Sequence, residues 1–143
     1  MKKENSLKSR GGLQLENQFS QRSKINKLSQ ARKPKFINEW GDEQVIDSDF
    51  CLETQDETIF FDLTTSFRSD RAKQKAYNGL CCKMQFGDGY KFYIVIPDDE
   101  YHGKYLQRTK QFSLQGLDGV LSLTQAIKMV QDKGWGRKWG GGS

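Results

Sequence analysis

The stretch LCCKMQFGDGYKFYIVI, residues 80–96, decides how this chain is read. Leu80, Cys82, Met84 and Phe86 alternate with Cys81, Lys83 and Gln85; Tyr90, Phe92, Ile94 and Ile96 alternate with Lys91, Tyr93 and Val95. Alternation of period two puts the two sets on opposite faces of a strand. Gly87-Asp88-Gly89 supplies a turn between the runs. The pattern predicts a β-hairpin with one apolar and one polar face, ended by Pro97, which cannot donate to a sheet ladder.

Downstream, Asp98-Asp99-Glu100 and His102-Gly103 read as a connection, and Tyr105 to Leu114 as a third strand. Arg108 and Lys110 share the parity of Leu106, Phe112 and Leu114, so that strand is either bulged or exposed on both faces. Ser122 with Gln125 forms a capping-box pattern, and Leu123, Ala126, Ile127 and Val130 make an apolar stripe at helical spacing. Gly134 is placed to end that helix, with Trp135 positioned to pack against its last turn. Residues 80–139 thus read β-β-β-α, followed by a flexible tail over 140–143.

Upstream, Ile59, Phe61, Leu63 and Phe67 share one parity in a strand from Thr58 to Phe67, joined by Gln55-Asp56-Glu57 to a strand from Phe50 to Thr54. Ser69 to Tyr77 reads as a short helix stopped by Asn78-Gly79. Residues 36–79 are therefore an acidic hairpin and short helix in the same domain as the module that follows. Residues 1–35 are rich in Lys, Ser, Gln and Asn and read as a flexible basic arm. Leu15, Phe19, Ile25 and Leu28 nevertheless allow a binding-induced helix between about 13 and 30, ended by Pro34. The fold class expected is α+β: an antiparallel sheet with a C-terminal helix packed on one face, preceded by a disordered basic N-terminal arm.

Charge is distributed in three blocks. Residues 1–35 hold ten Lys/Arg against two acids, residues 36–70 one Arg against ten acids, and residues 71–143 twelve Lys/Arg against six acids. The net charge of +5 hides this asymmetry, which bears on partners more than on fold. If the apolar parity of the hairpin faces the helix, the other face carries Lys83, Gln85, Lys91 and Tyr93. The third strand adds Lys104, Tyr105, Arg108 and Lys110, and the tail adds Arg137 and Lys138. Cations for phosphates, amides for base edges and rings for stacking are what a nucleic-acid surface needs. A merely solvated sheet face and a protein-binding face remain open alternatives.

The segment from Asn78 to about Trp135 resembles the AP2/ERF type of DNA-binding domain. The matching features are Gly79 before the first strand, Tyr90-Lys91-Phe92-Tyr93-Ile94 in the second, Gly103-Lys104-Tyr105-Leu106 leading to a third strand that reaches Phe112, and Thr124-Gln125-Ala126 in the helix. The resemblance implies a sheet lying in the DNA major groove with the helix behind it, and favours DNA over RNA.

Little in the spacing points to catalysis. Cys51, Cys81 and Cys82 lack CxxC spacing and read as reduced thiols, and His102 is the single histidine, so a zinc site is not expected. Asp98-Asp99-Glu100 near Lys104 lacks the acid and lysine two residues apart on one strand that a metal-dependent nuclease wants. No apolar run approaches the ~20 residues of a membrane span, and no signal-like segment follows Lys2-Lys3, so a cytoplasmic setting is expected. The leading expectation is a small non-catalytic nucleic-acid-binding protein without cofactor or metal. The alternative gives the acidic residues Asp49, Glu53, Asp56, Glu57 and Asp62 the leading role. They either neutralise the basic arm or mimic nucleic acid, as in a phage or mobile-element protein that inhibits a host nucleic-acid-handling defence complex.

Overall fold

The alternation over residues 80–86 belongs to a helix. In the computed structural model, which describes residues 2–29, 33–105, 107 and 116–135, helix α2 runs without a break from Ser69 to Phe86. The expected stop at Asn78-Gly79 is overridden because α2 buries Ala72, Ala76, Asn78, Gly79 and Cys82, spaced at about one turn, along a stripe on the sheet. Gly79 is required there by close approach. A Cβ on it would lie 2.0 Å from the Gly116 carbonyl oxygen, and one on Gly116 would lie 1.7 Å from the Ala76 oxygen. The cost of roughly 1 kcal/mol for glycine inside a helix is offset by contact between two backbones. Gly87, at φ 104°, then ends the helix.

The other elements are α1 (Lys2–Ser23), β1 (Lys35–Ile37), β2 (Glu43–Val45), β3 (Phe50–Glu53), β4 (Thr58–Leu63), β5 (Tyr90–Ile96), β6 (Gly119–Ser122) and α3 (Leu123–Val130). The first two strands form a separate two-stranded sheet. The remaining four form one sheet in the order β3-β4-β5-β6. The chain is thus mixed α and β, with a four-stranded sheet and a C-terminal helix packed on it. The pairing is antiparallel only between β3 and β4; β4–β5 and β5–β6 are parallel. A helix between β4 and β5 makes a parallel crossover, where the short Gly87-Asp88-Gly89 turn read from the sequence would have joined a hairpin.

Neither face of the sheet is free. On one side, Phe50, Leu52, Ile59, Phe61, Leu63 and Val95 pack with Leu15 and Phe19 of α1 and with Leu123, Ala126, Ile127 and Val130 of α3. On the other, Phe60, Phe92, Ile94, Ile96 and Val120 pack with Ala72, Ala76 and Cys82 of α2, and with Phe36, Ile46, Tyr105 and Leu117. Coverage on both faces explains why β4 (TIFFDL) and most of β5 (YKFYIVI) are apolar on both parities.

The amino-terminal arm expected to be disordered is helical from Lys2 to Ser23. Its composition is polar, but Leu15 and Phe19, one turn apart, are buried; the Phe19 ring lies 4.8 Å from Phe50 and 5.3 Å from Phe61. At the other end, the capping box forms as read. The Gln125 N–H donates to Ser122 Oγ at 3.2 Å, and the Ser122 N–H to Gln125 Oε1 at 3.1 Å. Lys104, Tyr105 and Gln107 are helical, not extended; the rest of the expected third strand, from residue 108 on, lies outside the described residues.

Candidate functional site

Parallel strands direct their carboxyl ends to one edge of a sheet, and that edge is where α/β folds place ligands. Here β4 ends in Asp62-Leu63. The chain entering β3 brings Asp49 to the same place: Phe50 pairs with Phe61, so Asp49, one residue earlier, falls opposite Asp62. The Asp49 N–H donates to the Phe61 oxygen at 3.1 Å, and its Oδ2 accepts the Leu63 N–H at 2.8 Å.

Asp62 points to the α2 face of the sheet, with 6% of its side chain exposed. Two cations from consecutive turns of α2 meet it. Arg71 donates from Nε at 3.2 Å and from Nη2 at 3.4 Å, and Lys75 Nζ lies at 3.6 Å. Arg71 and Lys75 are four residues apart and so share a helix face. Lys75 also donates to the Asp47 carbonyl oxygen, and Lys33 Nζ pairs with the Asp47 carboxylate at 2.9 Å. Glu16 of α1 faces Asp49 and is paired with Lys27 at 3.0 Å.

The electrostatics follow from this crowding. Burial pushes the Asp49 carboxyl up to about 6, reinforced by the charges of Asp62 and Glu16 and opposed by the Leu63 N–H. The Asp47 carboxyl is held below its ordinary value by the Lys33 hydrogen bond, which outweighs burial. Burial would lower the Arg71 pKa, but the charge and hydrogen bond of Asp62 raise it. The cluster is thus two carboxylates, one of them reluctant to ionise, with the cations Arg71 and Lys75 already seated on the other. Among the described residues no group of three or more His, Cys, Asp or Glu is placed to hold a metal ion.

Among the described residues, those expected on the nucleic-acid face do not share one sheet face. Lys83 and Gln85 lie on α2, not on a strand. Lys83 is turned inward, with Nζ bonded to the Tyr90 oxygen at 2.6 Å and to the Asp118 carboxylate at 3.0 and 3.2 Å. Lys91 reaches the same carboxylate at 4.0 Å. Tyr93 packs at 6.2 Å on Phe61 in the α1–α3 layer, and Tyr105 is buried at 4.7 Å from Phe67. Lys104 is exposed, while Arg108, Lys110, Arg137 and Lys138 lie outside the described residues. Lys83 and Gln85 were assigned to that face by a strand period that α2 does not have.

Nor do the acidic residues make one exposed surface. Glu53 and Asp56 are exposed at the β3–β4 turn, Glu57 pairs with Lys133 at 2.8 Å, and Asp49 and Asp62 are withdrawn into the cluster described above. Much of the acidic block is thus neutralised within the chain. Burial pushes the Cys51 and Cys82 thiols up to about 12, which leaves them protonated and poor nucleophiles. No helix among the described residues is long and apolar enough to cross a membrane.

The sequence reading missed the grouping of Asp49, Asp62, Arg71 and Lys75. No short spacing encodes it, because the acids come from two strands and the cations from the crossover helix. No family model, curated protein or solved structure matches the chain.

Proposed function

We propose that the protein hydrolyses phosphodiester bonds of nucleic acid, with Asp49 and Asp62 holding a divalent cation and Lys75 and Arg71 facing the phosphate. One observation carries this reading: two opposed carboxylates and two cationic side chains meet at the carboxyl end of β4. A bound divalent cation supplies charge neutralisation and a more acidic water at such a site. The chain's own residues do the rest. Asp62, fixed by two cations, and Asp49, fixed by the Leu63 N–H, hold their oxygens in place without further ordering. In this reading Lys75, whose Nζ rests on Asp62 and the Asp47 oxygen, would turn to a phosphate oxygen, and the half-exposed Arg71 would meet the nucleic-acid backbone. In the reaction a water oxygen bonds to phosphorus, the ester P–O bond breaks and a proton passes to the departing oxygen. The net charge of +5 favours a polyanionic substrate.

The test is incubation of the purified protein with end-labelled single-stranded DNA, duplex DNA and RNA in Mg²⁺ or Mn²⁺. Cleavage is expected that EDTA abolishes and that Asp62→Asn or Lys75→Ala lowers by about 10²–10⁴-fold. Failure to cleave any of these substrates with either ion overturns the reading.

A second reading rests on the ion pairs themselves. Asp62 is already neutralised by Arg71 and Lys75, as in a purely structural network, and the protein then binds nucleic acid without cutting it. Salt-sensitive binding in fluorescence anisotropy, without cleavage, supports this second reading.

A further inference from the structure

A half-open pocket of about 480 Å³ lies between the sheet and the chain that leaves α1. On the sheet side it is lined by Cys51, Thr58, Phe60 and Tyr90. Cys51 pairs with Phe60, and Thr58 with Tyr90, so the four share the face of the sheet on which α2 packs. No described residue of α2 lines the pocket; residues 25–29 and Pro34 cover it instead. Thr58 and Tyr90 are the first residues of β4 and β5, which puts the pocket toward the amino ends of those strands, whereas Asp62 lies near the carboxyl end of β4.

The cover is anchored at both ends. Lys24, at φ 63°, turns the chain off α1, and Ser20 Oγ donates to the Ile25 oxygen at 2.8 Å. The Leu28 N–H donates to the Asp49 oxygen at 2.7 Å, and the Ile46 N–H to the Pro34 oxygen at 2.8 Å. The pocket is therefore built without a ligand, and its volume falls within the roughly 300–1,000 Å³ of small-molecule sites.

The lining narrows the chemistry of the occupant. Apolar groups stand on both walls, Leu28 and Pro34 from the cover, Phe60 and Tyr90 from the sheet. The Tyr90 ring is held 5.2 Å from Phe86 and 6.0 Å from Phe60, yet is only half-buried. A ring fixed in this way suits stacking by a planar ligand. Asn26, Ser29 and Thr58 bring amide and hydroxyl groups that can hydrogen-bond the edge of such a ring. Charge is balanced. Among the described lining residues the charged ones are Lys27 and Glu53, of opposite sign; Lys27 is paired with Glu16, and the Cys51 thiol is kept protonated by burial. An ionised ligand would meet no net opposite charge here.

We propose that this pocket binds an uncharged planar heterocycle of the nucleobase or nucleoside class, independently of the Asp49–Asp62 cluster. The probe is 2-aminopurine riboside, whose fluorescence is quenched when it stacks on another ring. Saturable quenching is expected, with competition by adenosine and none by ribose. Ser29→Trp adds bulk at an exposed position of the cover, and is expected to abolish binding with unchanged thermal unfolding. Tyr90→Leu is expected to weaken binding by about tenfold. The absence of saturable quenching at millimolar probe overturns the proposal. Equal affinity for wild type and the Ser29→Trp variant, or competition by ribose as strong as by adenosine, overturns it as well.

Discussion

Replacing Asp49 with Asn leaves an oxygen to accept the Leu63 N–H but removes the charge facing Asp62. In the folded protein the Asp49 carboxyl is raised from 3.8 to about 6, chiefly by burial. Well below pH 3.8 it is protonated whether folded or not, so it imposes no penalty there. As pH rises from 4 to 6 the unfolded chain releases its proton before the folded one does, and stability falls through that window. About two units correspond to a ceiling of roughly 3 kcal/mol. Because the carboxyl retains some contact with solvent, roughly 1–2 kcal/mol is the expected loss after screening. The attraction of Asp49 to Arg71 and Lys27 is already contained in that net upward shift. Urea unfolding of wild type and Asp49→Asn at half-unit intervals from pH 4 to 8 gives the comparison, since carboxyls shifted the other way, such as Asp47 and Asp98, cancel between the two proteins. The two should be nearly equal at pH 4, with the variant roughly 1–2 kcal/mol more stable by pH 7.5. Added Mg²⁺ should stabilise wild type at pH 7.5 more than the variant. A difference independent of pH, or a variant less stable at pH 7.5, would show that the two carboxylates do not oppose each other.

Phe19→Ala should lower stability by about 3–5 kcal/mol in urea unfolding, the range for emptying a buried aromatic site, although the residue lies in a segment of disordered-looking composition. Gly79→Ala should destabilise by roughly 1–3 kcal/mol through overpacking against the Gly116 backbone, despite alanine's higher helix propensity; thermal unfolding reads the sign. Ser122→Ala should cost about 1 kcal/mol by opening the capping box of α3, measured in the same way. For Asp98, burial pushes the carboxyl up, but hydrogen bonds from the Thr124 N–H and hydroxyl outweigh it and hold it low. The stability this adds is present above about pH 4 and lost as pH falls below, so Asp98→Asn should lose its destabilising effect in acid unfolding.

The elements that read correctly were those whose local pattern and tertiary burial agree. Ser122 with Gln125 starts α3, and Tyr90–Ile96 is a strand because its apolar residues, followed by Pro97, leave little else. The helix begun at Ser69 was legible, but its second half was not. Leu80, Cys82, Met84 and Phe86 alternate by chance, whereas Ala72, Ala76, Gly79 and Cys82, the buried stripe, straddle a dipeptide that ordinarily stops helices. Taking 80–86 as a strand converted a parallel crossover into a hairpin and opened a sheet face that α2 in fact covers. The acidic and basic members of the candidate site were visible as residues but not as neighbours. Asp49 and Asp62 are joined only by register, and Lys75 only by the docking of α2.

The packing of α1 has a consequence for synthesis on the ribosome. Leu15 and Phe19 of α1 are made well before Leu123, Ala126, Ile127 and Val130 of α3, with which they share a cluster. Nascent chains that lack α3 must carry this apolar pair without its full set of partners. A chain truncated before α3 is therefore expected to present it to chaperones or to aggregate through it, and α1 becomes secure only once α3 has emerged.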